Sequence, residues 1–397
     1  MIKPLTHLGD LPLADFFKTY WQKAPVILPA ALPGFVSPLT PDELAGLALD
    51  DDIESRLVTH SDTAPWQLHQ GPFSDTDFAR LPANGWTLLV QAVDQWVPEV
   101  AELLDQFRFI PNWRLDDIMV SYAPTGGSVG PHYDYYDVFL VQGAGRRRWQ
   151  IGQYCNNNTP LLDGTPLKIV KHFESQMSYD LEPGDVLYIP PGVAHWGTAL
   201  DDYCMTYSVG FRAPSHQAIL TGVVEHVAES LTEDQRYCDA FDDQTHHSGE
   251  ISHQTIAGIR QIIEQYLTDD VIASWFGASM SEAKYPVDES PDAALGEALY
   301  QELVSTECAL IRPDNSRFCY YSLPTDSTQA RLFADGQEYL CSIALACFLS
   351  EHRIFSLAEI RQNSGDSNNR RIDNNTDKTD TLLKALLANG SLLLDSD

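Results

Sequence analysis

The segment Pro131-His-Tyr-Asp-Tyr-Tyr-Asp-Val-Phe-Leu140 sets a histidine and an aspartate two residues apart just before an apolar run. In an extended chain side chains at i and i+2 point to the same side, so His132 and Asp134 can share one metal ion while Tyr133 faces elsewhere. A second histidine, His195, follows the tripeptide Pro190-Pro-Gly192. Two imidazoles and one carboxylate on one face of an iron ion leave room for a bidentate 2-oxo acid and for O2, the arrangement of non-heme Fe(II) oxygenases. Arg147 meets a further need of that chemistry. Its planar fork suits the distal carboxylate of 2-oxoglutarate, and Ser121, on an earlier strand, offers a hydroxyl to the same group. Each signal is weak by itself. A His-x-Asp pair arises by chance roughly once in a few hundred residues. A lone His195 reads as a satisfied structural histidine, and Arg146 to Arg148 read equally as a solvated hairpin. Taken jointly, with a glycine-rich entry to His132 and Pro-Pro-Gly before His195, they point to an iron site made of His132, Asp134 and His195.

Those side chains need a scaffold. Leu13 to Trp21 carries an amphipathic helical pattern, and Ala24 to Pro29 is a short strand bounded by prolines. From 31 to 110 helical patches such as 41–49 alternate with strands such as 85–92. Leu115 to Tyr122 is a strand, and the turn-rich loop Ala123 to Gly130 delivers the chain to His132. Val138 to Gly152 has the form of a hairpin around Gly-x-Gly, in which Arg147 and Trp149 share one face and Arg146 and Arg148 the other. Glu182-Pro-Gly-Asp185 is a tight turn, followed by a strand from Val186 to Pro190, and Thr206 to Arg212 is the last strand before Pro214. Short strands with regular turns from 115 to 212 predict an antiparallel double-sheet jelly roll of the cupin type.

At Pro214 the pattern changes to helical periodicity over 215–231 and 254–267, and from about 296 helices mix with short strands in the manner of a winged helix. The expected fold class is therefore mixed and mainly β, with a jelly-roll domain over 1–213, a helical dimerisation region over 214–295 and a winged-helix-like domain over 296–397. That last segment holds nine Lys or Arg against fifteen Asp or Glu, so it is not expected to grip DNA.

Charge narrows the partners. With 56 acidic against 25 basic residues the formal net charge is −31, which repels nucleic acid and anionic membranes and favours a cationic partner; a generically acidic, solubilising surface accounts for the same number. The seven cysteines are scattered without a Cys-x-x-Cys, which argues for reduced thiols rather than a disulfide framework or zinc ribbon. The amino terminus has no basic segment leading into an apolar core and no run is long enough to span a bilayer, so the expected location is cytoplasmic.

Gly130 to Trp149, Glu182 to His195 and Tyr207-Ser-Val-Gly-Phe-Arg-Ala-Pro214 together resemble the JmjC ribosomal oxygenases, in particular their bacterial arginine-hydroxylating branch. The resemblance implies a double-stranded β-helix, Fe(II) held by His132, Asp134 and His195, 2-oxoglutarate anchored by Arg147, and O2 as the second cosubstrate. It also implies a homodimer that hydroxylates the β-carbon of one arginine in a basic large-subunit ribosomal protein. Tyr135 and Thr206 stand where the family pattern has amides. A cationic substrate side chain needs acceptors or aromatic faces, so Tyr133, Tyr136, Asp137, Asp116 and Asp117 are the expected pocket residues. Hydroxylation of histidine or asparagine, lysine demethylation, and a non-catalytic cupin or winged-helix binding protein are the competing readings.

Overall fold

The structure is a computed structural model describing residues 5–61, 64–238, 247–285, 292–365 and 375–395. The chain divides into two compact units, Met1–Ala213 and Pro214–Asp397.

The first unit opens with the small ribbon β1 (His7–Leu8) and β2 (Leu11–Pro12), then helix α1 (Leu13–Thr19) and strand β3 (Val26–Leu28). Helix α2 (Pro41–Leu47) begins where its sequence dictates: Thr40 and Glu43 form a reciprocal capping box, and Pro41 occupies a first-turn position that needs no N–H. Next come β4 (Ser55–Ser61), β5 (Ala64–Gln70), α3 (Asp75–Ala79), β6 (Trp86–Val90) and α4 (Pro98–Asp105). The site-bearing strands are β7 (Leu115–Ala123), β8 (Val138–Ala144), β9 (Arg147–Tyr154), β10 (Met177–Leu181), β11 (Val186–Ile189), β12 (Val193–Ala199) and β13 (Cys204–Phe211). They form a large sheet in the order β3-β11-β8-β13-β7-β6-β4-β5 and a small one in the order β10-β9-β12.

Strand β8 explains why two sheets exist. Phe139 and Val141 belong to the main apolar core, whereas Val138 and Leu140 pack with Trp149, Ile151 and Leu187 in a second one. A strand buried on both faces reads as an unbroken apolar run and sits in the middle of its sheet. The main core is aromatic: the Phe139 ring lies 5.6 Å from Phe16, 5.1 Å from Phe107 and 5.0 Å from Tyr188.

The hairpin expected over 138–152 does not form. Strand β8 pairs with β11 and β13, while β9 pairs with β10 and β12, so the chain passes from one sheet to the other at Gly145-Arg146. Both edges of β8 are already occupied, and Gly145, at φ 57°, lies so close to Asp201 and Cys204 that a Cβ would overlap them. Side-chain parity is unaffected by this crossing. Arg147 and Trp149 are buried, whereas Arg146 and Arg148 point outward to Asp201 and Asp180.

The second unit contains α5 (His216–Glu229), α6 (His253–Tyr266), α7 (Asp269–Ser281) and α8 (Ala293–Thr306). After them run β14 (Leu310–Ile311), β15 (Phe318–Ser322), β16 (Gln329–Ala334), β17 (Gln337–Ser342), α9 (Ile343–Glu351), β18 (Ile354–Phe355), α10 (Leu357–Asn363), α11 (Asn375–Ala388) and β19 (Leu393–Leu394). Ser215, Ser252, Thr268, Asp292, Ser342 and Ser356 cap α5 to α10 by accepting first-turn N–H groups. Strand β17 was not foreseen, although Asp335-Gly336, both at positive φ, is the dipeptide of a tight hairpin between β16 and β17. Gly277 of α7 lies directly against Phe333 of β16, so this helix packs on the sheet that follows it. Among the described residues no helix is long and apolar enough to cross a membrane.

Behind the site, the fully buried Asp137 carboxylate accepts from Arg114 Nη2 at 2.6 Å, from Tyr188 Oη at 2.6 Å and from Gln22 Nε2 at 3.0 Å. Removing it strands a partly buried cation and two further donors. Asp137→Ala is expected to destabilise the protein by about 3–5 kcal/mol, read as a lower urea midpoint.

Candidate active site

The loop between β7 and β8 is fastened at closely spaced points. Ser128 Oγ donates to Gly197 O at 2.6 Å and accepts from Gly130 N at 3.1 Å and from Trp196 Nε1 at 2.9 Å. Pro131 O accepts from Val170 N, and Asp134 O accepts from Gly192 N, each at 2.7 Å. Between these, His132 and His195 exchange both backbone hydrogen bonds, at 3.0 and 2.8 Å, which brings the two imidazoles within 4.2 Å between ring centres.

Local carbonyls then select the tautomers. His132 Nδ1 lies 2.9 Å from Gly130 O and His195 Nδ1 lies 3.0 Å from Val193 O, so each Nδ1 carries the proton and each Nε2 presents its lone pair. These Nε2 atoms stand 4.0 and 3.7 Å from Asp134 Oδ2. One ligand atom from each of the three side chains lies within 4.8 Å of the others, the spread that a single shared ion requires. Burial first, and the neighbouring His132 second, push His195 down to about 4, which keeps it neutral at pH 7.

Beside the triad lies a cavity of about 220 Å³, lined among others by Arg56, Ser121, Thr87, Tyr136, Arg147 and Trp149. Arg147 is 3% exposed, with its guanidinium 5.7 Å from the Trp149 ring centre and its Nε 3.3 Å from Cys204 Sγ. Its Nη2 is buried without a hydrogen-bond partner, as is Thr87 Oγ1 on the same cavity wall. A buried cation lacking an anion is costly, so this cavity is built to receive one. Two imidazoles and a carboxylate at ligand spacing, beside a cavity that holds an unsatisfied guanidinium, fit a divalent metal with a dicarboxylate 2-oxo acid.

The expected pocket residues divide. Ser121 lines the cavity with its Oγ 3.5 Å from Thr206 O, and Tyr136 lines it near Asp134 and Asp117; burial and those carboxylates raise its phenol pKa. Tyr133, Asp116, Asp117 and Asp137 are not on the cavity wall. Tyr133 donates instead to Asn156 O, Asp116 pairs with Arg212 at 3.6 Å, and Asp117 accepts from Gln91 at 2.7 Å. Asp137 belongs to the buried Arg114 network: three residues beyond Asp134, it enters β8 on the side of Phe139 and Val141, which pack in the main core, whereas Tyr136, Val138 and Leu140 face the cavity. Tyr135 is exposed, and Thr206 Oγ1 donates to Gln142 Oε1 at 3.2 Å. Arg56, Thr87, Leu68 and Met119 line the cavity and were not foreseen. The only local signal among them is Thr87, a lone polar residue in the apolar strand Trp86–Val90.

A family model for the JmjC domain matches residues 102–219. The ribosomal protein uL16 3-hydroxylase of Escherichia coli (strain K12) is 40% identical over 280 residues, covering 70% of this chain and 73% of the relative. The chain belongs to the JmjC-domain ribosomal oxygenases. A probable ribosomal oxygenase of Haemophilus influenzae is 33% identical over 334 residues, 81% of this chain and 80% of the relative. The solved structure of YcfD, a ribosomal oxygenase from Escherichia coli in complex with cobalt and 2-oxoglutarate, superposes with a TM-score of 0.81 at 32% identity, covering 98% of this chain and 100% of that one. The double sheet described above is thus the JmjC jelly roll, a cupin-like fold, and this ribosomal oxygenase carries helical and mixed α/β elements after it.

If the three clustered side chains share one ion, losing one is expected to weaken metal binding sharply. Calorimetric titration with Co(II) should show His132→Ala and Asp134→Ala each losing at least about tenfold in affinity. Unchanged affinity in either variant would remove that residue from the ligand set.

Proposed function

We infer that this chain is an Fe(II)- and 2-oxoglutarate-dependent oxygenase that hydroxylates the β-carbon of an arginine in a large-subunit ribosomal protein. The observation that carries the reading is that His132 and Asp134, clustered with His195 at metal-ligand spacing, line the same cavity as a buried Arg147 with an unpaired Nη2. The relative named for 3-hydroxylation of uL16 supports the substrate class and the position of the new hydroxyl. The net charge of −31 suits a cationic ribosomal protein, and such a substrate puts the enzyme in the cytoplasm.

His132 Nε2, His195 Nε2 and an Asp134 oxygen would hold the iron. When bound, iron couples oxidation of 2-oxoglutarate to succinate and CO2 with insertion of one oxygen atom from O2 into a substrate C–H bond. The remaining tasks fall to the protein. The Gly130 and Val193 carbonyls hold both imidazoles in the tautomer that offers Nε2. Arg147, assisted by Ser121, takes the distal carboxylate and so fixes the orientation of the 2-oxo acid. Tyr136 offers an aromatic face to an incoming guanidinium, close to the negative charge of Asp134 and Asp117. Apolar walls at Val58, Leu68, Leu140 and Leu167 keep water from the reacting carbon.

We assign dimerisation to the helical region 214–295 and a supporting role to the winged-helix-like region 296–397. Helix α6 supports the first assignment, since Ile256, Ile259 and Ile263 are exposed at helical spacing.

Incubation of the iron-loaded protein with 2-oxoglutarate, O2 and unmodified large-subunit proteins should add one oxygen atom to an arginine of uL16, located by mass spectrometry. Oxygen on histidine or asparagine, or loss of methyl groups from lysine, would replace the substrate assignment. Arg147→Ala should raise KM for 2-oxoglutarate about a hundredfold, the loss of a charge-assisted pair. Ile259→Asp should convert a dimer into a monomer by light scattering; a wild-type chain already monomeric at micromolar concentration would refute the dimer.

A further inference from the structure

We propose that Cys204 is a positioning residue for the cosubstrate anchor: its sulfur aims the Arg147 guanidinium while leaving the positive charge uncompensated. The proposal rests on the reading of Arg147 as the 2-oxoglutarate anchor.

Arg147 and Cys204 come from different sheets, on β9 and β13, and meet across the crossing at Gly145. Arg147 Nε donates to Cys204 Sγ at 3.3 Å, and Gln142 Nε2 reaches the same sulfur at 3.5 Å. Gln142 is itself held, donating to Ala144 O at 2.7 Å and accepting from Thr206 Oγ1 at 3.2 Å. The sulfur is fully buried and packs with Ala123 and Ala199, so its position is fixed by apolar neighbours on one side and by Gln142 on the other. The acceptor that meets Arg147 Nε is thus a rigid one.

Its chemical type matters as much as its place. Arg114, Arg146 and Arg148 each pair with an aspartate. Among the described residues no carboxylate lies within ion-pair distance of Arg147, the deepest of the four. A carboxylate at the position of Cys204 would satisfy the guanidinium internally and reduce its attraction for a ligand. A thiol is a weak, uncharged acceptor. It holds the Nε edge by one directional contact and leaves Nη2 to an incoming carboxylate, which matches the unpartnered state of that atom. The burial cost of the unpaired charge is then relieved on cosubstrate binding, which makes binding tighter.

Cys204 variants of the full chain test this, with calorimetric titration of 2-oxoglutarate into the Co(II)-loaded protein without O2 and steady-state succinate formation with iron. Cys204→Ala should raise both Kd and KM for 2-oxoglutarate about three- to tenfold, with kcat and Co(II) affinity unchanged. Cys204→Ser, which restores an uncharged acceptor, should return both to within about twofold of wild type. Cys204→Asp should weaken 2-oxoglutarate more than Cys204→Ala does, by roughly a hundredfold, with metal affinity retained. Equal constants for Cys204→Ala and wild type overturn the proposal, as does a parallel fall of kcat, metal affinity and Tm, which marks a packing residue. If the alanine protein does not fold, the serine and aspartate pair decides: equal Kd values in the two overturn it. Arg147→Ala separates the two levels of inference. A raised KM there with an unaffected Cys204→Ala sinks only the role of Cys204, whereas an unaffected Arg147→Ala removes the anchor and this proposal with it.

Discussion

The site depends on two backbone hydrogen bonds. His132 and His195 are distant in sequence, and their reciprocal N–H to O=C bonds at 3.0 and 2.8 Å tie the β7–β8 loop to β12. Without that tie the β7–β8 loop would hold His132 and Asp134 at no defined distance from the small sheet. With it the spacing of the imidazoles is set by main-chain geometry, and only the ring rotation remains to be chosen. The carbonyls of Gly130 and Val193 choose it. Around the pair, Ser128, Val170 and Gly192 supply the other fastenings, and Asp137 anchors the far end of the loop through Arg114.

Charge placement follows a related logic. The four arginines from positions 114 to 148 named above are treated in two ways: three are paired with aspartates, and Arg147 is left facing a cavity. That difference is created by the passage of the chain between sheets at Gly145-Arg146. A true hairpin would have kept β9 beside β8 in one sheet. The crossing instead sets Arg147 on the sheet facing Ser121 and Thr206, so that the walls of one cavity come from both layers. A buried positive charge with an unsatisfied Nη2 is tolerable in a folded protein because the remaining aromatic and aliphatic core outweighs it.

Much of this was legible in the residues. The His-x-Asp pair, the Pro-Pro-Gly before His195 and the alternation of Arg146 to Arg148 are local patterns, and local patterns report which side chains share a face. The short strands from 115 to 212 carried the jelly roll for the same reason, and apolar spacing over 215–231 and 254–267 carried the helices beyond Pro214. What failed was long-range. Asp137 has the parity of Phe139 and Val141 rather than that of His132 and Asp134, and its carboxylate ends in the core, where Arg114, Tyr188 and Gln22 meet it. Arg56 and Leu68 come from strands whose local sequence looks like any other, and with Thr87 reach the cavity only because β4, β5 and β6 extend the large sheet over it.

The sequence by itself determined the candidate His132, Asp134 and His195 set, the inward parity of Arg147 and the class of fold, because each is encoded by spacing over a few residues or by periodicity over one element. Tertiary structure alone decided that β8 and β9 lie in different sheets and that the sulfur of Cys204 meets Arg147. It also decided which acidic residues face the cavity and which are locked in ion pairs. These depend on strand partners chosen across the whole domain, where competition for both edges of β8 overrides the local preference of a Gly-x-Gly turn.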